Sequence, residues 1–279
     1  MYNDIQRDSK WRITLMDLGL KDKIAVITGA TKGIGLAVAR GLAKEGAHIA
    51  LCSRSKEEAI KTAEKIEKDF GVNTLGVQVD VVKKKDLEIF IKEVEIKFDG
   101  VDILISNAGM GSEETVMSSK DEQWQYFWDL QVMAAIRLAR GVVPLMKKRG
   151  GGVIINNASI CARQPLSHEP IYNTVKAALV MFSKCLANEL IRDGIRVNCI
   201  NPGLILTPAW RKGAESLSKE EGLTVDEYFD KIAKEYTPIG RFASPEELAN
   251  FFVFLCSDRA SYCVGSSYYV DGGWLNVTV

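Results

Sequence analysis

The chain has 279 residues, of which 47% are hydrophobic, and its 36 basic and 36 acidic residues give a formal net charge of zero. This balance argues against a broad nucleic-acid-binding or anionic-membrane surface and favours a small-molecule partner. A chain of this length can bury one large core, so we expect a single domain.

The N-terminal segment is charged throughout and lacks the apolar stretch of a signal peptide. We predict an arm over residues 1–19 that is flexible or bound to a partner, ahead of a domain over residues 20–279. No later apolar run is long enough to span a bilayer. We therefore expect a cytoplasmic protein with no membrane partner.

Six cysteines are scattered along the chain without a Cys-x-x-Cys pair: Cys52, Cys161, Cys185, Cys199, Cys256 and Cys263. Most of them lie in apolar runs, so we expect reduced, buried thiols and no metal. A metal site or a redox switch is the alternative.

Seven short β-branched runs alternate with segments in which apolar residues return every three or four positions, as in Ile34, Val38 and Leu42. The runs are residues 23–28, 48–52, 74–79, 101–106, 152–157, 195–200 and 266–270. This alternation predicts an α/β domain of Rossmann type, a doubly wound parallel seven-stranded sheet with helices on both faces. Ligands of such sheets bind at the carboxyl ends of the strands.

The first predicted strand runs into TGATKGIG, residues 28–35, and then into a helical segment. Gly29, Gly33 and Gly35 would let the backbone turn sharply and point the free amides of the helix N-terminus at an anion such as a pyrophosphate. Their spacing is not Gly-x-Gly-x-x-Gly, so a plain glycine-rich turn is the alternative.

The second predicted strand ends in CSRS, where an enzyme preferring NAD would usually carry an acidic residue for the ribose 2′-hydroxyl. Ser53 stands there instead, followed by Arg54, and Lys32 lies in the glycine loop. Two cations suit the 2′-phosphate of NADP, so we predict NADP(H) as cofactor. Solvated surface charges are the alternative.

Several motifs in the right order give the chain a specific resemblance to the short-chain dehydrogenase/reductase family, over about Leu20 to Trp274. They are TGATKGIG, SNAG at 106–109, Ser159, YNTVK at 172–176, RVNCINPG at 196–203, Thr207 and VDGG at 270–273. The resemblance extends most closely to 3-oxoacyl-(acyl carrier protein) reductases, although many of these segments are shared with sugar, polyol and steroid dehydrogenases.

Tyr172 and Lys176 are four residues apart at the start of a helical run, so their side chains share one face. A nearby Lys176 ammonium should lower the pKa of Tyr172, which can then act as general acid or base on a carbonyl or alcohol. Ser159 would hold the substrate oxygen. A Ser-His-Asp hydrolase is disfavoured because no Gly-x-Ser-x-Gly surrounds Ser159; His168 is expected to be a loop residue, with substrate contact as the alternative.

The resemblance implies further roles for individual positions. The cofactor would be bound by Gly29, Thr31, Lys32, Gly33, Ile34, Gly35, Ser53, Arg54, Asp80, Val81, Asn107, Ala108, Gly109, Tyr172, Lys176, Pro202, Gly203 and Thr207. It also implies a homotetramer in which the apolar helices around residues 132–146 and 178–190 pair between subunits; burial within one chain is the alternative.

One position departs from the family pattern. Gln131 stands where the family has an asparagine that helps to hold a water next to the lysine. Glutamine offers the same amide groups one methylene further out, so we include it as a member of the catalytic site whose water position is shifted.

The resemblance implies an NADPH-dependent oxidoreductase that interconverts a ketone and a secondary alcohol, with a 3-oxoacyl thioester as the expected substrate. A sugar, polyol, steroid or other cyclic alcohol is the alternative, and a non-catalytic NADP-binding sensor is a third. Residues 208–240 break the strand–helix alternation, and we predict a substrate lid there.

Overall fold

Seven parallel strands form one sheet in the computed structural model, which describes residues 17–278. They are β1 (Ile24–Thr28), β2 (His48–Ser53), β3 (Thr74–Gln78), β4 (Ile103–Ser106), β5 (Gly152–Asn157), β6 (Ile195–Pro202) and β7 (Ser267–Val270). Their order in the sheet is β3-β2-β1-β4-β5-β6-β7. This confirms the predicted fold class, and all seven predicted strands are present with ends shifted by at most two residues.

Nine α-helices connect or flank the strands within the described residues. They are α1 (Gly33–Lys44), α2 (Lys56–Phe70), α3 (Lys84–Phe98), α4 (Asp121–Phe127), α5 (Ala134–Lys148), α6 (Pro170–Leu190), α7 (Pro208–Glu220), α8 (Val225–Tyr236) and α9 (Pro245–Cys256). A π-helical turn, Trp128–Met133, joins α4 to α5. Helices α1, α2 and α9 cover one face of the sheet, and α3, α5 and α6 cover the other.

The central strands are apolar over most of their length because both faces are covered. In β1, Ala25 and Ile27 pack under α1 and α9, whereas Val26 packs towards α3 and α5. Val26 pairs in register with Ala50 of β2 and Leu104 of β4. In the sheet, β2 lies on one side of β1 and β4 lies on the other, so the strand order reverses at this point. A crevice therefore opens at the carboxyl ends of β1 and β4.

Helices α5 and α6 carry the apolar surface from which the sequence predicted subunit pairing. Most apolar residues of α5 are buried within this one chain, including Leu138, Val142 and Met146. Helix α6 differs, since Met181 on it is 65% exposed. Burial within the chain therefore accounts for α5 but not for the outer face of α6.

The thiols depart from the prediction at one position. Cys52, Cys161, Cys199 and Cys256 are buried as predicted, and Cys263 is half-buried. Cys185 is exposed, which corrects the prediction, because it lies on the face of α6 that points away from the sheet.

Most of the predicted arm, residues 1–16, lies outside the described residues. Residues 17–19 contact the turn that follows α9: the carbonyl of Leu18 accepts a hydrogen bond from Asp258 N at 3.2 Å, and that of Asp17 accepts one from Arg259 Nε at 2.8 Å. Between residues 17 and 278, no helix has both the length and the hydropathy to cross a membrane.

Candidate active site

The glycine loop forms a tight passage between β1 and α1. Gly29 and Gly33 adopt φ angles of 64° and 57°, a region that side chains disfavour. A methyl group on Gly35 would collide with the carbonyl oxygen of Gly29 and would lie 2.5 Å from Nδ2 of Asn107. The loop and the first turn of α1 can therefore pack this closely only with glycine at these positions.

A chain of hydrogen bonds runs from this loop to the buried lysine of α6. Asn107 Nδ2 donates to the carbonyl oxygens of Thr28 and Gly29 at 2.9 and 3.1 Å. Asn107 Oδ1 accepts from Asn157 Nδ2 at 2.9 Å, and the carbonyl of Asn157 accepts from Lys176 Nζ at 2.8 Å. We call these bonds the asparagine network; it fixes the ends of β1, β4 and β5 relative to α6.

A cavity of about 540 Å³ opens above these strand ends. Every residue that the sequence assigned to the cofactor lines it: Gly29, Thr31, Lys32, Gly33, Ile34, Gly35, Ser53, Arg54, Asp80, Val81, Asn107, Ala108, Gly109, Tyr172, Lys176, Pro202, Gly203 and Thr207. Ser159 lines it as well. The structure therefore brings together residues that are up to 178 positions apart in the chain, from Gly29 to Thr207.

Ser159, Tyr172 and Lys176 meet where the strands end. Ser159 stands two residues after the end of β5, and its hydroxyl accepts a hydrogen bond from Cys161 N at 3.2 Å. Tyr172 is the third residue of α6 and Lys176 follows one turn later. Nζ of Lys176 lies 5.2 Å from the centre of the Tyr172 ring.

The lowered pKa predicted for Tyr172, from Lys176 together with an oxidised nicotinamide, is not seen for the protein side chains alone. Burial raises the pKa of the Tyr172 phenol, and only the neighbouring Ser159 hydroxyl opposes that rise. Burial also lowers the pKa of Lys176 to about 8. The amine donates a hydrogen bond to the Asn157 carbonyl and stays mostly protonated at pH 7.

The depressed pKa of Lys176 leads to a pH-dependent stability. In the unfolded chain the Lys176 amine keeps its proton up to pH about 10.5, whereas in the folded protein it loses the proton near pH 8. The free-energy cost of burying the charged amine therefore disappears as the pH rises between these two values. Between pH 7 and 10, we expect the free energy of unfolding of the wild type to rise by up to about 3 kcal/mol relative to that of Lys176→Met.

Urea unfolding of both proteins across this pH range measures the gain. Taking the difference between the two proteins removes the contributions of Cys52 and Cys256, whose raised pKa values do not depend on Lys176. A difference that stays constant with pH would contradict a lowered pKa at Lys176.

Gln131 lies behind the cavity wall and not on it. Its Nε2 donates to the carbonyl of Met110 at 3.1 Å, and its buried Oε1 has no hydrogen-bond partner among the described residues. A methyl group on Gly109 would lie 3.0 Å from this Oε1. Gln131 thus supports the loop after β4, in the π-helical turn that the sequence did not predict.

The loop after β4 is pinned to the start of α6. Ser112 Oγ donates to Glu114 Oε1 at 3.0 Å and accepts from Tyr172 N at 3.2 Å. Glu114 Oε1 also accepts from Ile171 N at 3.2 Å. His168 is exposed, and its carbonyl accepts from Glu114 N at 3.2 Å, as expected of a loop residue.

Some lining residues were missed in the sequence. Asn157 is the clearest case, since a polar pair, Asn156 and Asn157, ends an otherwise apolar strand and could have been noticed. Met110 and Tyr126 also line the cavity, but neither belongs to a motif that would mark it.

Residues 208–240 form α7 and α8. Trp210 lines the cavity, and its ring packs on Phe242 at 5.3 Å between centroids; Phe229 packs on the same ring at 5.1 Å. Thr207 caps α7 by accepting from Trp210 N at 3.5 Å. The aromatic side chains thus hold α7 against the mouth of the cavity.

The residues fit a dinucleotide cofactor. A methyl group on Gly29 would lie 3.0 Å from Cα of Ala108, so only glycine leaves room for a ligand beside both strand ends. Asn157 also lines the cavity, and its buried Oδ1 has no hydrogen-bond partner among the described residues. A reduced nicotinamide held there would supply a hydride.

A glycine cradle at the crevice between β1 and β4, next to a serine, a tyrosine and a buried lysine, defines an oxidoreductase acting on CH–OH groups. Comparison with known proteins gives its family. The family model described as enoyl-(acyl carrier protein) reductase matches residues 29–275.

Individual relatives cover nearly the whole chain. The structure of L-sorbose reductase from Gluconobacter frateurii, complexed with NADPH and L-sorbose, is 58% identical with a TM-score of 0.93, over 94% of this chain and 100% of that one. Dehydrogenase/reductase SDR family member 4 of Oryctolagus cuniculus is 37% identical, over 91% of this chain and 94% of the relative. The 3-oxoacyl-[acyl-carrier-protein] reductase of Aquifex aeolicus is 31% identical, over 92% and 99%. The chain belongs to the short-chain dehydrogenase/reductase family.

Proposed function

We propose that the protein is an NADPH-dependent reductase that converts a ketose sugar to the corresponding polyol. The observation that carries this proposal is the Ser159, Tyr172 and Lys176 group beside the glycine cradle, in a chain 58% identical to a reductase solved with NADPH and L-sorbose. A ketone is reduced at one carbon, so the site needs one proton donor and one group to hold the carbonyl oxygen.

The proton donor is Tyr172. Because burial raises the pKa of its phenol, Tyr172 is protonated at neutral pH and can donate to the carbonyl oxygen as that oxygen gains charge. Ser159 donates a second hydrogen bond to the same oxygen and positions it. Lys176, held by Asn157, returns a proton towards Tyr172 after each turnover. These roles favour reduction over oxidation near pH 7.

The preference for NADPH rests on Lys32 and Arg54. Both are exposed, both line the cavity, and neither forms an ion pair with any residue that the structure describes. Two free cations beside Ser53 suit a ribose 2′-phosphate. No acidic side chain stands at the end of β2 to repel it.

Removing these cations should therefore weaken NADPH alone. We expect Lys32→Ala/Arg54→Ala to raise the KM for NADPH about 10- to 100-fold, since a hydrogen bond to a charged group contributes about 1.5–3 kcal/mol. The KM for NADH should change little. Lys65→Ala, an exposed cation on α2 away from the cavity, is the control. Equal losses for both cofactors would show that the two cations do not read the 2′-phosphate.

The 3-oxoacyl thioester expected from the sequence is the second candidate, supported by the 31% identical reductase of Aquifex aeolicus. Initial rates of NADPH oxidation with L-sorbose, D-fructose, an acetoacetyl thioester and a cyclic or steroidal ketone separate the candidates. Ketose rates well above the others support our proposal. A dominant thioester rate would overturn it, and NADPH binding without any turnover would point to a sensor.

The proposal includes a homotetramer. The exposed Met181 and Cys185 on α6 give that helix an outer surface that another subunit can cover. Residues 208–240 act in the proposal as the lid over the substrate. Light scattering on the purified protein tests the assembly, and a monomer at micromolar concentration would exclude it.

A further inference from the structure

The first turn of α6, which carries Tyr172, takes its caps from another segment of the chain. Pro170 begins the helix and has no amide hydrogen to donate. The side chain of Glu169, the residue before it, caps no amide of this turn in the part of the chain that the structure describes. Asn173 N donates to the Glu169 carbonyl at 2.9 Å. The amides of Ile171 and Tyr172 therefore need acceptors from elsewhere, because no helical turn precedes them.

Both acceptors come from the loop after β4. Tyr172 N donates to Ser112 Oγ at 3.2 Å, and Ile171 N donates to Glu114 Oε1 at 3.2 Å. Ser112 Oγ in turn donates to Glu114 Oε1 at 3.0 Å, so the two side chains act as one unit. The amide of Glu114 also donates to the carbonyl of His168 at 3.2 Å. We call Ser112 and Glu114 the loop caps.

The loop caps hold the first turn of α6 in a fixed place. Ser112 is buried, so water cannot easily replace its hydrogen bond to Tyr172 N. An amide that loses its acceptor in such a place costs more free energy than the hydrogen bond itself contributes. The loop is held at its own start, because Gln131 Nε2 donates to the carbonyl of Met110 at 3.1 Å. Without the loop caps, the first turn of α6 would shift or fray.

We infer that the loop caps are positioning residues for the reaction, because they set the place of the Tyr172 hydroxyl beside the carbonyl oxygen that Ser159 holds. This inference rests on the proposed role of Tyr172 as proton donor and deepens it. Tyr172 is the third residue of α6, so its side chain leaves the helix from the turn that the loop caps bind. A proton donor must lie within hydrogen-bond distance of its acceptor, and a misplacement of about 1 Å can lower a rate about 100-fold.

The lysine of the site does not depend on the loop caps in this way. Lys176 lies one turn further along α6, and its Nζ donates to the carbonyl of Asn157 at 2.8 Å. The glycine loop is held by Asn107. Loss of a loop cap should therefore affect proton donation by Tyr172 and leave the binding of NADPH intact.

The first test measures kcat with the best ketone and the Kd for NADPH in Ser112→Ala, Glu114→Ala and Glu114→Gln. We expect each alanine variant to lower kcat about 10- to 100-fold. The Kd for NADPH should change less than about twofold, since the glycine loop is untouched. Glu114→Gln keeps a carbonyl oxygen that can accept both hydrogen bonds, so its kcat should stay within about threefold of wild type.

The second test asks whether the loop caps act through the hydroxyl of Tyr172. In the Tyr172→Phe background there is no hydroxyl to position, so the addition of Ser112→Ala should lower the remaining kcat by less than about twofold. A general structural role would lower kcat by the same factor in both backgrounds. This double-mutant cycle therefore separates positioning of the proton donor from support of the fold.

Ser118→Ala is the matched control. Ser118 is an exposed serine of the same loop, and its Oγ accepts from Thr115 N at 3.0 Å. Its hydrogen bonds within the described chain go to Thr115 and not to α6. The variant should leave kcat and NADPH binding unchanged. Fluorescence titration of NADPH shows whether each variant is folded, and Ser112→Ala serves as the test if Glu114→Ala is not.

The outcomes separate this inference from the proposed function. Alanine variants as fast as wild type would overturn the positioning role and leave the reductase function standing, and so would an equal loss in the Tyr172→Phe background. A Glu114→Gln protein as slow as Glu114→Ala would show that charge matters and the hydrogen bonds do not, which also overturns the inference. Wild type that reduces no ketone would overturn the proposed function itself.

Discussion

Tyr172→Phe is expected to lower kcat by about 10³-fold, within the range that general acid catalysis contributes. The substitution removes only the phenolic oxygen, the proton donor that burial keeps protonated. The ring remains and still packs against the apolar cluster of Ile160, Cys161, Leu204 and Trp274. NADPH affinity should therefore change less than about twofold, since the glycine loop and Lys176 are untouched.

Steady-state rates with the best ketone, combined with a fluorescence titration of NADPH, measure both quantities. Tyr236→Phe removes an exposed hydroxyl from α8 and should leave both unchanged. A Tyr172→Phe protein that retains turnover would refute the proton-donor role. Loss of NADPH binding along with turnover would instead show that the hydroxyl organises the cofactor pocket.

Gly35→Ala is expected to destabilise the fold by about 2–3 kcal/mol, as overpacking of a tight interior does. The added methyl group meets the backbone of Gly29 and Ala30 and the amide of Asn107, none of which can move without opening the asparagine network. The displaced loop should bind NADPH at least about tenfold more weakly, which corresponds to about 1.4 kcal/mol.

Gly213→Ala is the matched control. Gly213 lies inside α7, and nothing lies within 4 Å of an added methyl group. Alanine there should stabilise the helix by about 0.5–1 kcal/mol and leave NADPH binding unchanged. Urea unfolding and NADPH titration on both variants give the comparison. Similar effects at the two positions would mean that the close contact at Gly35 does not matter.

The strands and the glycine loop could be predicted from the sequence because their causes are local. A run such as residues 24–27 is apolar at every position, and glycines at 29, 33 and 35 mark a turn whatever the rest of the chain does. The order of the family motifs then placed Ser159, Tyr172 and Lys176 at one edge of the sheet. Each motif is recognised from neighbouring residues, so this prediction did not require knowledge of any contact between distant segments.

The electrostatics of the site could not be predicted in this way. The pKa of Tyr172 depends on how deeply the side chain is buried, and burial of the Lys176 amine lowers the pKa of that group. Such properties arise from packing between elements and leave no mark in any single motif.

The asparagine network has a consequence for biosynthesis. Gly29 is translated early, yet its carbonyl is fixed by Asn107, which is held in turn by Asn157, whose own carbonyl binds Lys176. The nucleotide-binding loop therefore cannot reach its final shape while only the first strands have left the ribosome. Ordering of this loop must wait for contacts between distant segments, which form slowly. A nascent chain that ends before α6 would lack a working nucleotide site, so the glycine loop is not a module that can be cut out and transplanted.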